Sequence, residues 1–470
     1  MSEIHDLTAL EQGEAVRRGE LSPLELTEHY LARIERLSDT VGAFVTVTAE
    51  QARERARGLA LAAVAGPLAG VPTAVKDLNT TAGVRTTFGS ATMRDYVPQV
   101  SDEVVKSLEA AGTVSLGKTN TPEFGSPCYT EPDVAPPART PWDLDRTAGG
   151  SSGGAAAAVA TGLVPFAQGS DGGGSIRIPA SCCGLVGLKP SRGVVSSGPM
   201  YGDPVGLATS GPIARTVRDT AALLDALAGP RVGDPFWAPP LPAGETHLSW
   251  CDREPSRLRV AWFDAPMIAD VEIDDECLAA SGAAARLLES LGHDVERIEV
   301  PLEHDAVATF ETCWAVLTAL SAVPPEQEQL LRPLTRWLQE RGRRVSGPEF
   351  GLAVGEARRI AARTLQRLAP YDVVLTPTLA RPPALVGELR DDADPARDFA
   401  NQKAFTPYTS AWNLTGMPAV SLPLHWTPEG LPVGVMLAGR PGEDHRLVAL
   451  AAQVEDAAPW ADRHPPLWNA

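Results

Sequence analysis

Cysteine is scarce in this 470-residue sequence, and the arrangement of the few that occur excludes the usual disulfide and zinc frameworks. Six are present, and no two of them have the spacing of a CxxC metal or redox motif. Cys182 and Cys183 are adjacent in the chain, which does not suit a disulfide between them. We therefore expect neither a metal site nor a disulfide-stapled fold, and no cofactor is predicted.

Positively charged residues and long hydrophobic runs are also few. The chain has 41 Lys and Arg against 59 Asp and Glu, a formal net charge of −18, and no basic cluster that would follow a phosphate backbone. Its first residues, MSEIHDLTALEQGEAV, contain no signal-peptide core, and Gly, Pro and Thr interrupt the alanine-rich middle well short of a membrane span. We expect a cytoplasmic protein with no nucleic-acid partner and no membrane segment.

Helical and extended patterns alternate along the chain, and hydrophobic residues make up 44% of it, enough for a large buried core. A capping box at residues 22–25 begins a helix, and Val71, Thr73 and Val75 alternate as in a strand that ends at Lys76. This alternation predicts an α/β fold with a largely parallel or mixed sheet. Further strands are predicted at 258–264, 293–300, 371–378, 417–424 and 431–439, and a long surface loop at 232–256.

Residues 112–119, GTVSLGKT, match the phosphate-loop pattern GxxxxGK[ST]. A phosphate loop follows a strand and begins a helix, whereas here a helical segment precedes the run and NTPEFG follows it. We therefore interpret the run as a helix-to-strand turn that leads into a strand, and we do not expect it to bind a nucleotide.

Residues 149–153, GGSSG, match the GxSxG pattern of a nucleophile elbow, which predicts an esterase with a Ser-His-Asp triad as an alternative function. The histidine of such a triad would be His425, His445 or His464. An elbow requires an apolar strand directly before the serine, and the preceding PWDLDRTA is polar and turn-like. The context of the motif therefore disfavours this alternative.

A third interpretation joins Lys76 to the segment rich in glycine and serine that follows residue 146. Consecutive glycines in SDGGGS can point successive backbone N–H groups into a concave nest that holds an oxyanion, and Ser175 ends that nest. Ser151 precedes the alanine-rich helix and can return beside Ser175. These residues suggest a nucleophile, a relay and a base without a histidine.

The same segments resemble the amidase signature family. The likeness is carried by GVPTAVKDLNTTAGVRTTFGS, GKTNTPEFG, PWDLDRTAGGSSGG and GSDGGGSIRIPASCCGLVGLKPSRG, with NLTGMPAVSLPL and GLPVGVMLAG further on. It implies an α/β fold with a large mixed twisted sheet covered by helices on both faces. It also implies a single domain over 1–470, with a helical region at 1–65, a signature core at 66–215 and pocket elements at 216–470. Ala148, Thr140 and Gly172 depart from the usual family residues.

Site residues follow from this resemblance. It implies Ser175 as nucleophile, Ser151 as relay after a cis peptide bond, and Lys76 as base. A lysine that is ordinarily charged at neutral pH must then have a strongly lowered pKa, which burial can supply. We expect Asp171 and Arg177 to pair beside the nest as a structural brace. Oxyanion or substrate contacts are implied for Gly125 and for the amides of Gly172, Gly173, Gly174 and Ser175, and candidate pocket residues are Cys313 and Trp314.

The implied activity is hydrolysis of an amide through an acyl-enzyme, with a small linear, aryl or cyclic amide, or a carbamate, as substrate. The segments SIRIPAS and CCGLVGLKPSRG resemble family members that act on aminohexanoate cyclic dimers more than the tRNA amidotransferase subunit. We expect a stand-alone hydrolase, as a single chain or as a homodimer. A binding protein descended from the amidases is the other alternative, and it is disfavoured because all three catalytic positions are filled.

Overall fold

Two β-sheets form the framework of the protein in a computed structural model that describes residues 3–61, 66–200, 202–303, 305–321 and 323–470. The described strands are β1 (Phe44–Val47), β2 (Pro72–Lys76), β3 (Val114–Thr119), β4 (Phe166–Asp171), β5 (Val186–Lys189), β6 (Thr209–Ala214), β7 (Arg259–Trp262), β8 (Asp294–Arg297), β9 (Val373–Pro377), β10 (Ala419–Trp426) and β11 (Pro432–Gly439).

The larger sheet has eight strands in the order β4-β6-β5-β10-β11-β9-β7-β8. Strand β7 runs parallel to β8 and β9, and the other neighbours are antiparallel, so the sheet is mixed as the sequence predicts. The smaller sheet has the order β1-β3-β2, with β2 parallel to β3 and β1 antiparallel to it. The predicted strand that ends at Lys76 belongs to this smaller sheet.

Helices cover these sheets, and their capping follows the sequence signals. The Ser22 side chain accepts a hydrogen bond from the Glu25 amide, and Thr216 likewise caps a helix through Asp219. None of the described helices is long and apolar enough to cross a membrane. The helices are α1 (Ala9–Arg18), α2 (Pro23–Val41), α3 (Ala49–Leu61), α4 (Glu103–Ala110), α5 (Gly153–Ala160), α6 (Arg177–Cys183), α7 (Val217–Leu227), α8 (His247–Trp250), α9 (Asp275–Ser290), α10 (Asp305–Ala319), α11 (Pro333–Arg344), α12 (Gly347–Leu368), α13 (Pro395–Phe405), α14 (Ala411–Thr415) and α15 (Asp444–Ala457).

Helix α5 is buried along its whole length and contacts strands of both sheets. Its small residues make this possible. A Cβ added at Gly154 would lie 2.3 Å from the Asn120 backbone nitrogen and 2.5 Å from the Ala43 carbonyl oxygen. The helix is thereby held at close range to the smaller sheet, and the serines that precede it are fixed between the two sheets.

Several elements differ from the sequence expectations. The patterns missed β1, β5 and β6, because these strands are short or contain glycine and proline, which obscure a period of two. They also missed α1 and α6. Residues 62 and 63, the predicted end of the helix that begins at residue 49, lie outside the described residues. The predicted loop at 232–256 is irregular apart from the four residues of α8.

Candidate active site

Three chain connections meet where β2 ends, where α5 begins and where β4 leads into α6. Lys76 is the last residue of β2, and its Nζ donates to Ser151 Oγ at 2.7 Å and to the Ser170 carbonyl oxygen at 3.1 Å. The Ser152 amide donates to the Ser175 carbonyl oxygen at 3.1 Å. The structure therefore brings together the neighbourhoods of Lys76, Ser151 and Ser175, which are far apart in the sequence.

Lys76 is fully buried. Burial lowers the pKa of its ammonium group from 10.5 to about 7, and the negative charge of Asp171 opposes this shift. Asp171 is itself engaged in an ion pair with Arg177, which partly compensates its charge. The lowered pKa and the contact with Ser151 Oγ suit a group that exchanges a proton near neutral pH.

The expected ion pair between Asp171 and Arg177 is present and completely buried. Arg177 Nε donates to Asp171 Oδ2 and Nη2 donates to Oδ1, each at 2.9 Å, and Arg177 also donates to the Thr409 carbonyl oxygen at 2.8 Å. Asn413 Nδ2 adds a bond to Asp171 Oδ1 at 2.8 Å. Burial opposes ionisation, yet the charge and hydrogen bonds of Arg177 hold the pKa of the Asp171 carboxyl below its ordinary value. The pair joins the end of β4 to α6 and α14.

The glycine loop between β4 and α6 is anchored to this ion pair. The Gly174 amide donates to Asp171 Oδ1 at 2.7 Å, so this N–H is engaged in holding the loop. Among the described residues, no hydrogen-bond acceptor contacts the amides of Gly172, Gly173 and Ser175. Of the four amides expected as oxyanion donors, the Gly174 amide therefore has a partner in Asp171, and the other three have none among the described residues.

The peptide bond between Gly150 and Ser151 is cis, as the family resemblance implies. Gly125 approaches the same serine from the other side, with a φ angle of 67°. A Cβ added at Gly125 would lie 3.4 Å from Ser151 Oγ and 2.4 Å from Leu78 Cδ1. The position therefore requires glycine both for its backbone conformation and for its close contacts.

A cleft opens beside Ser175 and is lined mainly by apolar side chains. Helices α10 and α13 supply much of its wall, including Phe310, Trp314 and Phe399. Trp314 faces the glycine loop, because a Cβ added at Gly172 would lie 3.4 Å from its ring. Cys313 is only 1% exposed and packs in the core instead, so of the two candidate pocket residues the structure places Trp314 alone in the cleft.

Neither of the competing motifs has the geometry that its chemistry requires. Residues 114–119 of the apparent phosphate loop form strand β3 itself, and no helix follows the strand directly. Lys118 is buried and donates to the Asn79 carbonyl oxygen and to Thr86 Oγ1 rather than pointing at an open loop. None of the described histidines lines the cleft. His425 Nε2 contacts Glu276 at 2.6 Å, His464 stacks on Trp468, and the His445 ring is tilted against Trp250.

Sequence reasoning missed the residue that fixes the backbone of Lys76. Gln168 lies in β4, and its Oε1 accepts a hydrogen bond from the Lys76 amide at 3.0 Å. Its Nε2 donates to Asn79 Oδ1 at 2.9 Å and to the Gly169 carbonyl oxygen at 2.8 Å. The available signal was a single polar amide within the apolar run LVPFAQG. Gln168 thus connects the end of β2 in the smaller sheet to β4 in the larger one.

Comparisons with known proteins show the family of the chain. The amidase family profile matches residues 25–448. A 6-aminohexanoate-cyclic-dimer hydrolase of Paenarthrobacter ureafaciens is 37% identical over an alignment of 487 residues, covering 99% of this chain and 97% of that protein. A solved structure of 6-aminohexanoate cyclic dimer hydrolase complexed with substrate has a TM-score of 0.92 at 34% identity and covers 99% of this chain and 100% of that one.

A bacterial aryl acylamidase of the amidase signature family gives a TM-score of 0.88 at 27% identity, with coverage of 100% of this chain and 99% of that one. Together with the match over residues 25–448, these likenesses extend across the elements that form the site. The chain therefore belongs to the amidase family and is a hydrolase of carbon–nitrogen bonds.

Proposed function

We propose that Ser175 is the nucleophile, Ser151 the proton relay and Lys76 the base of an amidase that works through an acyl-enzyme. Neutral Lys76 accepts the proton of Ser151, which in turn accepts the proton of Ser175 as its oxygen attacks the substrate carbonyl. The same relay returns a proton to the departing amine. Water, deprotonated along the same path, then attacks the acyl carbon, and the relay returns that proton to the Ser175 oxygen as the acid leaves.

The observation that carries this proposal is the contact of 2.7 Å between Lys76 Nζ and Ser151 Oγ in a fully buried setting. A buried lysine with a carboxylate in contact would be held in its charged form. The nearest partners of Lys76 are a hydroxyl group and a carbonyl oxygen instead. This environment suits a group that alternates between the neutral and the charged state during a proton transfer.

The open amides of Gly172, Gly173 and Ser175 are the proposed oxyanion donors. The negative charge that develops on the carbonyl oxygen requires donors already oriented before the reaction. The bond from Gly174 to Asp171 supplies that orientation, because it fixes the loop to a buried ion pair. Gly125, beside Ser151, is proposed to leave room for the substrate at this point.

Small amides are the proposed substrates. The cleft beside Ser175 has a largely apolar lining that suits linear, aryl or cyclic carbon chains on either side of an amide. The names of the relatives, a cyclic-dimer hydrolase and an aryl acylamidase, favour the same range. A cytoplasmic location is proposed from the six free thiols, which are usual in a reducing compartment. Whether one chain or a homodimer is the working unit stays a prediction.

The test uses a panel of anilides, linear and cyclic aliphatic amides and carbamates, with intact-protein mass spectrometry to detect the acyl adduct. We expect at least one amide to be hydrolysed and to leave a transient adduct that maps to Ser175. In the Ser175→Ala variant, turnover should fall by at least about 10⁴-fold. Binding of amides without turnover by the parent protein would contradict the proposal and would favour a binding protein.

A further inference from the structure

One group of charged side chains interrupts the apolar wall of the cleft. Among the described lining residues, Glu311 of α10 and Lys403 of α13 are the only charged ones. Lys403 Nζ lies 2.6 Å from Glu311 Oε1, and Arg341 of α11 lies 3.3 Å from Glu311 Oε2. We call these three residues the charged cluster. It joins three helices that are separate in the sequence.

The charged cluster has an excess of positive charge. One carboxylate stands between two cations, so the sum is one positive charge at neutral pH. An ammonium group has three N–H donors, and Lys403 uses one of them on Glu311. Its side chain is 28% exposed, whereas that of Glu311 is 18% exposed and contacted from two sides. A ligand in the cleft therefore meets a cation with unused donors rather than a free carboxylate.

Aromatic rings hold the charged cluster in place. The Arg341 guanidinium lies over the Trp337 ring at 4.6 Å, and Lys403 Nζ lies 5.6 Å from the centre of the Phe399 ring. The Trp337 and Phe399 rings are themselves 5.9 Å apart. Cations stacked on rings in this way lose little further freedom when a ligand binds. The cluster is thus organised before substrate arrives.

The charged cluster lies within reach of the reaction centre. Glu311 and Trp314 are three residues apart on α10, which corresponds to a rise of about 4.5 Å along the helix. Trp314 faces Gly172 of the glycine loop, and Phe310 stacks on Trp314 with ring centres 5.5 Å apart. The aromatic surface therefore continues from the glycine loop to the charged cluster.

We propose that Lys403, with the charged cluster around it, binds an anionic group at the far end of an amide substrate, most simply a carboxylate. This inference rests on the proposed function and narrows its substrate class. The apolar chain of the substrate lies along Phe310 and Trp314, and its carboxylate accepts hydrogen bonds from Lys403 Nζ. A substrate that ends in an ammonium group is disfavoured, because Glu311 is already neutralised by two cations.

The test compares p-nitroanilides of acyl chains of equal length that end in a methyl group, a carboxylate or an ammonium group. A second series places the same three ends on the amine side of the amide. In one of the two series we expect kcat/KM to be at least about tenfold higher for the carboxylate than for the methyl compound, and lowest for the ammonium compound.

Two variants should change the preference for the carboxylate compound in opposite directions. Lys403→Gln removes the cation, and the ratio of kcat/KM for the carboxylate compound to kcat/KM for the methyl compound should fall to about one. Glu311→Gln removes the competing carboxylate, and the preference should increase. Lys106→Gln is the matched control, since Lys106 also lies 2.6 Å from a glutamate, Glu103, but outside the cleft. A merely structural role of the cluster would lower kcat/KM for all three compounds in both variants.

The proposal is overturned if neither series prefers the carboxylate, or if the preference survives in Lys403→Gln. Absence of turnover for every compound in both series would instead contradict the proposed function. In that case the carboxylate and methyl amides are compared as ligands by calorimetry. Tighter binding of the carboxylate amide, lost in Lys403→Gln, would still support the site for the anion, and equal binding would overturn it.

Discussion

Two buried lysines on neighbouring strands show how partners determine what the same residue can do. Lys76 ends β2 and Lys118 lies in β3, and both side chains are almost inaccessible to solvent. Burial lowers the pKa of both, to about 7 for Lys76 and to about 8 for Lys118. Lys118 has the carboxylate of Asp77 at 3.7 Å, whereas Lys76 contacts a serine hydroxyl.

Burial alone does not make a lysine a base. The charges of Asp77 and Asp102 act against the desolvation of Lys118, and its Nζ donates to Thr86 Oγ1 at 3.0 Å. These partners tie Lys118 into the fold as a structural cation. Asp171, the carboxylate that raises the pKa of Lys76, is compensated by Arg177. We therefore expect that removing the first lysine affects activity and that removing the second affects stability.

The largest expected effect is that of Lys76→Met on activity. Turnover should fall by about 10³-fold, because the relay loses its proton acceptor. Stability should rise, since methionine does not incur the cost of burying a charge. Between about pH 7 and pH 10.5 the folded parent binds fewer protons than its unfolded chain. The free energy of unfolding of the parent therefore increases with pH in this range, and that of the variant does not. Steady-state kinetics and urea unfolding at several pH values measure both effects.

The matched substitution, Lys118→Met, should reverse this pattern. It leaves the carboxylate of Asp77 buried without its cation, which costs about 3 kcal/mol or more of unfolding free energy. Turnover per folded molecule should stay close to that of the parent. Urea unfolding and active-site titration separate the two quantities. Loss of turnover with unchanged stability would contradict the structural role of Lys118 and would assign it a catalytic one.

The pH dependence of the parent enzyme tests whether Lys76 is the base. Only neutral Lys76 accepts a proton, so kcat/KM for an uncharged amide should increase with pH and level off above the pKa of about 7. Below that value it should decrease about tenfold for each pH unit. The profile is measured with a chromogenic anilide. A flat profile from pH 5 to 9 would indicate a base other than Lys76.

A smaller effect is expected at Gly125, whose added Cβ would press on Leu78 and lie 3.4 Å from Ser151 Oγ. Gly125→Ala should lower kcat by about tenfold through displacement of the serine, with a modest loss of stability. Gly117→Ala, beside Lys118, is the control, because its Cβ would lie 2.1 Å from the Thr46 carbonyl oxygen. That substitution should mainly reduce the melting temperature. If Gly125→Ala leaves kcat unchanged, the close approach to Ser151 has no catalytic consequence.

How far the sequence predicts the site depends on whether local patterns or distant packing create each part. Short motifs carry Lys76, Ser151 and Ser175. Lys76 ends a predicted strand, Ser151 lies just before a predicted helix, and Ser175 lies in the loop after a predicted strand. The cleft wall, in contrast, brings together residues that are distant in the sequence. Glu311 and Lys403 are 92 residues apart and meet because α10 and α13 both pack against α11.

The direction in which each side chain of a helix points is also not given by the sequence. Cys313 and Trp314 are consecutive, and successive residues of a helix point about 100° apart. The sequence alone does not indicate which of the two faces a cleft, and the structure buries Cys313 while Trp314 lines it. The same limit applies to Gly174, whose amide could not be distinguished from its neighbours until the position of Asp171 was known.

The central claim is that Lys76 activates Ser175 through Ser151, and the most direct measurement is the rate at which a fluorophosphonate labels Ser175 at different pH values. Labelling reports the nucleophile without requiring a leaving amine. We predict an adduct on Ser175 whose rate follows one ionisation near pH 7 in the parent, with a much lower rate in Lys76→Met that recovers partly at alkaline pH. An adduct on another residue, or equal rates and equal pH profiles in the parent and the variant, would contradict the account.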